Sequence, residues 1–96
     1  MTEMPELSRF YNIVITMFYR DHNPPHIHAY YGHRKRPEWA AQIDIRDGSV
    51  LDGDIPSLAL RLVEEWIRIH QDELLDAWNR AVEGQAPGKI APLRVR

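Results

Sequence analysis

The sequence predicts a single α+β domain, in which a small antiparallel sheet of three to four strands precedes a long or kinked carboxy-terminal helix packed on one face. Strand-like stretches fill residues 9–54, and apolar residues at helical spacing fill residues 56–83. No linker or internal repeat divides the 96 residues, so residues 1–96 form one domain. The order β-β-β-β-α, with strands first and helix last, is typical of an α+β fold.

The composition restricts the classes of function. An apolar fraction of 44%, with three Trp and four Tyr, is typical of a globular domain. The absence of cysteine excludes disulfides, thiolate metal sites and a cysteine nucleophile. A net charge of -2 argues against a broad nucleic-acid-binding surface. Without an apolar run of ~20 residues or a signal-peptide pattern, we expect a soluble cytoplasmic protein that does not enter membranes.

The first two strands are predicted on either side of a proline-rich turn. Residues 9–19, RFYNIVITMFY, carry β-branched and aromatic side chains on both parities, which predicts one central strand buried on both faces. Pro24 then breaks the ladder because it has no N–H to donate. Residues 26–31, HIHAYY, alternate, so His26, His28 and Tyr30 are predicted on one face of the next strand.

A second alternating segment, WAAQIDIR at residues 39–46, predicts the third strand. Asp47 and Gly48 then form a two-residue hairpin signal, which would pair Ile45 with Val50 in a short fourth strand. Asp44 has two interpretations. Its side chain faces solvent or, if its face of the sheet also carries the histidines, its carboxylate orients them. Alternation alone cannot decide between these interpretations, because it does not fix the register of neighbouring strands.

The helical segment starts near Pro56 and ends near Gly84. As one helix it would be about 40 Å long, which exceeds the size of such a domain. We therefore expect either an overhanging helix or a kink at residues 70–72, where Asp72 could cap a second helix. His70 lies on the apolar stripe, which predicts a core or boundary position. The tail comprises residues 84–96, and we expect it to contribute an edge strand around residues 89–93.

The segment DHNPPHIH at residues 21–28 is the main chemical feature. The H-x-H spacing of a strand directs His26 and His28 to the same side, ~6.5 to 7 Å apart, and the two prolines limit the motion of the turn that carries His22. One interpretation is a metal site of His22, His26 and His28, with Asp21 as a further ligand or as an orienting group. Imidazole ligands suit Zn or Ni among the divalent transition metals.

A second interpretation is metal-independent acid–base chemistry, for which no cofactor is expected. RNA cleavage needs one imidazole as base and another as acid, and His22, His26 and His28 are the candidates. Tyr30 on the same face could donate a hydrogen bond or stack on a base. The residues that could bind the phosphate are basic and flank the histidines: Arg20, Arg34, Lys35 and Arg36. A third interpretation is structural, with the imidazoles bonded to backbone carbonyls in a non-catalytic binding or regulatory module.

The sequence also resembles a known prokaryotic family. The pattern D-H-x-P-P-H-x-H at residues 21–28, the segments AQIDIRDGSVLDGDIP and ALRLVEEWIRIHQDELLDAWNRA, and the tail KIAPL are similar to the family catalogued as domain of unknown function 4160. The carried-over motif residues are Asp21, His22, Pro24, Pro25, His26 and His28. Asn12 stands where the family often has glycine, and residues 32–39 form a longer, more basic loop.

The resemblance implies a function only in outline. Members of that family are often encoded beside a small partner protein, in an arrangement like a type II toxin–antitoxin pair. It therefore implies a toxin-like protein with a small cognate partner encoded nearby, and RNA is the substrate that the histidine chemistry suggests. A homodimer through an edge strand or the acidic helix is a further expectation.

Overall fold

The computed structural model describes residues 5–32 and 36–94, which form five strands followed by two helices. The strands pair in chain order in a single antiparallel sheet. The predicted α+β fold is confirmed, with five strands instead of three to four. The elements are β1 (Glu6–Phe10), β2 (Ile13–Thr16), β3 (His26–Gly32), β4 (Pro37–Asp44), β5 (Val50–Asp54), α1 (Ser57–Ile69) and α2 (Gln71–Val82).

The additional strand arises because a turn within the predicted strand at residues 9–19 separates β1 from β2, so the prediction of one central strand there was wrong. Tyr11 and Asn12 have φ angles of 47° and 63°, and Phe10 pairs with Ile13 directly across this two-residue turn. Two successive positive φ angles are typical of a type I′ turn, whose twist matches that of the strands. The apolar residues on both parities therefore belong to two strands that run in opposite directions.

The connection between β4 and β5 is longer than the predicted two-residue turn, so that prediction was also wrong. Ile43, and not Ile45, pairs with Val50. The Gly48 N–H donates to the Asp44 carbonyl, and the Ser49 N–H donates to the Asp47 carboxylate at 2.9 Å. This local side-chain bond stabilises a wider turn than the Asp-Gly pair alone indicated.

The helical segment is divided at His70, within the predicted kink region. Asp72 lies inside the first turn of α2, so the predicted cap there was wrong, and His70 occupies the junction. His70 is half-buried against Trp66, with 5.6 Å between the ring centroids. The Gln71 side-chain amide donates to the carbonyls of Ile45 and Arg46, which attaches α2 to the end of β4.

The core lies between the helices and one face of the sheet. The tail adds to it through Ile90 and Leu93, which are both buried. The predicted edge strand is not found within residues 85–94, where one backbone bond, from Ile90 N–H to Leu7 O, joins the tail to β1. Residues that are fully buried in this core come from both layers: Ile13, Ile15, Ile27, Ala29, Ile43, Val63, Trp66 and Leu74.

Candidate functional site

The histidines of β3 lie on the other side of the strand from the core residues Ile27 and Ala29, and His26 at the start of the strand also contacts α2, with 5.2 Å between its ring centroid and that of Trp78. Ile27 and Ala29 of β3 are fully buried in the core, so His26, His28 and Tyr30 lie on the other face, as the alternation predicted. His26 and His28 are nevertheless only 6% and 8% exposed. The connection between β2 and β3 folds over this face, and the Phe18 ring stacks on His28 with 4.1 Å between centroids.

Asp21 joins the two histidines in one cluster. Its Oδ2 lies 3.0 Å from His26 Nε2 and 3.9 Å from His28 Nε2. One ligand atom from each of the three residues lies within 4.8 Å of the others. The structure therefore brings together three of the four residues that the sequence predicted as metal ligands.

The hydrogen bonds of His26 determine what its second nitrogen can do. His26 Nδ1 lies 2.7 Å from the Pro24 carbonyl, an acceptor, so Nδ1 carries a proton and donates it. A neutral His26 then directs the lone pair of Nε2 at the Asp21 carboxylate. Two acceptors 3.0 Å apart repel each other, so this pair requires a proton or a metal cation between them.

His28 offers an unused nitrogen beside this pair. Its Nε2 is buried and has no hydrogen-bond partner in the described part of the chain. Burial lowers the pKa of His28, and the neighbouring His26 lowers it further. His28 is therefore neutral at neutral pH, the state in which imidazole binds metals.

His22 does not join the cluster. Its side chain is 96% exposed, and its Nδ1 lies 3.9 Å from Asp21 Oδ1. Its backbone N–H donates to the same carboxylate oxygen at 2.9 Å. His22 therefore helps to fix the orientation of Asp21 through its backbone, while its imidazole faces solvent.

The structure describes two of the four predicted cationic residues, Arg20 and Arg36. The Arg20 N–H donates to the Ala81 carbonyl, and the Arg20 guanidinium lies against Gly84 at the carboxy-terminal end of α2. Arg36 precedes β4 at the far end of β3, about 20 Å along the strand from His26. The other two predicted cations, Arg34 and Lys35, lie outside the described residues.

A small open cleft adjoins the cluster. It has a volume of about 110 Å³ and is lined by His28, Tyr30, Gln42 and Asp52 among others. Gln42 lies opposite His28 in the ladder, and Asp52 lies opposite Gln42 on β5. The sequence analysis did not select these two residues, because alternation gives the face of a residue but not its cross-strand neighbour.

Asp44 lies on the histidine face, opposite His26, but its carboxylate binds another residue. It is 3% exposed and accepts hydrogen bonds from the Arg46 N–H and from the Arg46 guanidinium, both at 2.8 Å. The bond from the Arg46 side chain is the main reason why the pKa of Asp44 is lowered. The interpretation of Asp44 as the carboxylate that orients the histidines is therefore not supported by its contacts.

We expect the Asp44→Asn substitution to lower the free energy of unfolding by about 1–3 kcal/mol at pH 7, because it weakens bonds to a buried charged group. The folded pKa of Asp44 is depressed, so its contribution is complete above about pH 4 and is lost as the pH falls through the folded value. Urea denaturation at pH 7 and pH 3 measures the difference. Asp76→Asn, in an exposed ion pair with Arg80, is the control with a smaller loss. If the difference in unfolding free energy between the wild type and Asp44→Asn were the same at pH 7 and pH 3, this account would be contradicted.

The family model described as Domain of unknown function (DUF4160) matches residues 12–79 of the 96-residue chain. The chain belongs to this family. The DUF4160 match contains the whole cluster and the strands that carry it, from β2 to β5, and it ends within α2. No significant match to a curated protein or to a solved structure was found. No helix among residues 5–32 and 36–94 is both long and apolar enough to cross a membrane.

Proposed function

We propose that this DUF4160 protein binds a divalent transition-metal ion, with Zn²⁺ and Ni²⁺ as the first candidates, through Asp21 Oδ2, His26 Nε2 and His28 Nε2. The observation that carries the proposal is the buried, unpartnered Nε2 of His28 beside a carboxylate that already faces His26 Nε2. Metal–ligand bonds of 2.0–2.1 Å in a tetrahedral site place donor atoms about 3.4 Å apart. The two Asp–His distances, 3.0 and 3.9 Å, lie on either side of that value.

The surroundings of the cluster also support a metal site. A metal-bound histidine usually donates its other N–H to a carbonyl or carboxylate, as His26 Nδ1 does to the Pro24 carbonyl. Two imidazoles and one carboxylate are a ligand set that transition metals accept. Three protein ligands leave at least one coordination position for water or substrate, which is typical of catalytic rather than structural sites.

The metal-independent alternative receives less support from the contacts. Both nitrogens of His26 already have neighbours within hydrogen-bond distance, which leaves His28 as the one imidazole of the cluster with a nitrogen for proton transfer. Of the described arginines of the predicted phosphate site, Arg20 directs its guanidinium to Gly84, and Arg36 precedes β4 at the far end of β3. A toxin-like role beside a small partner protein and action on RNA stay predictions. Growth of cells that express the chain with and without the neighbouring gene product tests them.

Metal titration of the untagged protein after chelator treatment tests the proposal. We expect one equivalent of Zn²⁺ or Ni²⁺ to bind, and the unfolding free energy to rise by about 2.7 kcal/mol at a free metal concentration of 100 times Kd. Asp21→Asn and His28→Gln should each weaken binding by more than about 10-fold.

The matched control is His22→Gln, in the same motif but with an exposed imidazole, and it should bind as the wild type does. Absence of saturable binding by the wild type would contradict the proposal. Equal loss of affinity in His22→Gln and His28→Gln would contradict the assigned ligands.

A further inference from the structure

The hydroxyl of Thr16 lies next to the proposed metal ligand His28 without a partner of its own. Thr16 ends β2 and is 5% exposed, and its Oγ1 is buried without a hydrogen bond to any group in the described ranges. Thr16 and His28 are direct partners in the antiparallel ladder, so their Cβ atoms lie about 4.5–5.5 Å apart on one face.

The positions of the buried polar atoms that lack a hydrogen-bond partner indicate a shared ligand. Within residues 5–32 and 36–94, the buried side-chain polar atoms that lack a partner belong to Ser8, Thr16 and His28. A buried hydroxyl without a partner costs about 1–3 kcal/mol, and buried water commonly satisfies such groups. Two of the three atoms belong to the cross-strand neighbours Thr16 and His28. A metal ion bound to His28 Nε2 and carrying one oxygen ligand next to Thr16 would satisfy both of them.

We infer that Thr16 is a positioning residue that holds the exchangeable oxygen ligand of the metal ion, an inference that rests on the proposed metal site. The ligand class is water, hydroxide or the oxygen of a small carboxylate. The Thr16 hydroxyl accepts a hydrogen bond from bound water and donates one to hydroxide or carboxylate oxygen. The adjoining open cleft, at about 110 Å³, has room for a ligand of this size next to His28.

Thr16→Val tests this role, because it removes the hydroxyl and keeps the branched shape that suits a strand. We expect the metal-free variant to be at least as stable as the wild type, since an unpartnered buried hydroxyl is lost. We also expect its Kd for Zn²⁺ to rise about 10-fold, as for the loss of an outer hydrogen bond at a metal site. Its visible absorption spectrum with Co²⁺ should change, because the coordination around the ion changes.

Two further variants complete the test. Thr16→Ser keeps the hydroxyl and should restore the wild-type Co²⁺ spectrum. Ser8→Ala removes the other unpartnered hydroxyl, which pairs with Ile15 on the core face, and should leave metal binding unchanged.

The outcomes separate this inference from the proposed function. Wild-type Zn²⁺ affinity and an unaltered Co²⁺ spectrum in Thr16→Val would overturn the role of Thr16 and leave the metal site in place. A less stable metal-free Thr16→Val protein would also overturn it, because the hydroxyl would then serve the fold. Failure of the wild type to bind Co²⁺ and Zn²⁺ would overturn the metal site and this inference together.

Discussion

Replacing Trp66 with alanine is expected to lower the free energy of unfolding by about 3–5 kcal/mol. Trp66 is fully buried and packs on Phe10 of β1 with 5.5 Å between ring centroids. Its Nε1–H donates to the Ala91 carbonyl at 2.8 Å. The substitution therefore opens a cavity and also releases the tail from α1.

Trp39→Ala is the matched control, because Trp39 is 37% exposed whereas Trp66 is fully buried. We expect it to cost less than half as much as Trp66→Ala, since less apolar surface leaves the core. Guanidinium denaturation of the metal-free proteins measures both losses. Equal losses would contradict the assignment of Trp66 as the link between sheet, helix and tail.

The second large effect is expected for Gly53→Ala in β5. Gly53 has a φ angle of +81°, and a Cβ built on it would overlap the Ala40 carbonyl oxygen and lie 3.0 Å from Ala41 Cα. Both neighbours are backbone atoms of the adjacent strand, so they can move only if the β4–β5 pairing shifts. We expect a loss of about 2–5 kcal/mol, which combines the cost of left-handed backbone with that of overpacking.

Gly84→Ala separates the two contributions to this loss. Gly84 has a similar φ of +80°, but a Cβ there would meet the Arg20 guanidinium, the mobile end of a side chain. We expect this control to cost about 1–2 kcal/mol, from the backbone conformation alone. Thermal denaturation of both variants makes the comparison. A smaller loss for Gly53→Ala than for Gly84→Ala would show that β4 does not constrain position 53.

The sequence predicted the strand that carries the site because its signal is local. Alternation in HIHAYY placed His26, His28 and Tyr30 on one face, and the structure agrees. The Tyr11-Asn12 turn was missed because it lacks the Asn-Gly or Asp-Gly pair that marks most two-residue hairpins. Because that turn was missed, the prediction joined two antiparallel strands into one.

The composition of the site could be predicted only in part, because it depends on tertiary structure. The pairing of His28 with Thr16 and Gln42 follows from strand register, which alternation leaves undetermined. Adjacent residues in the proline-rich turn also diverge, so Asp21 faces the cluster while the His22 imidazole faces solvent. Nothing in their order along the chain distinguishes the directions of the two side chains.

The location of the bound ion tests the central claim most directly. Crystals of the untagged protein grown with one equivalent of Zn²⁺ should show an anomalous peak at about 2.0–2.2 Å from Asp21 Oδ2, His26 Nε2 and His28 Nε2. Thr16 should lie beside an oxygen ligand of the same ion. An ion held instead by His22 or His70, or an Asp21–His26 pair in direct contact with no ion between them, would contradict the account.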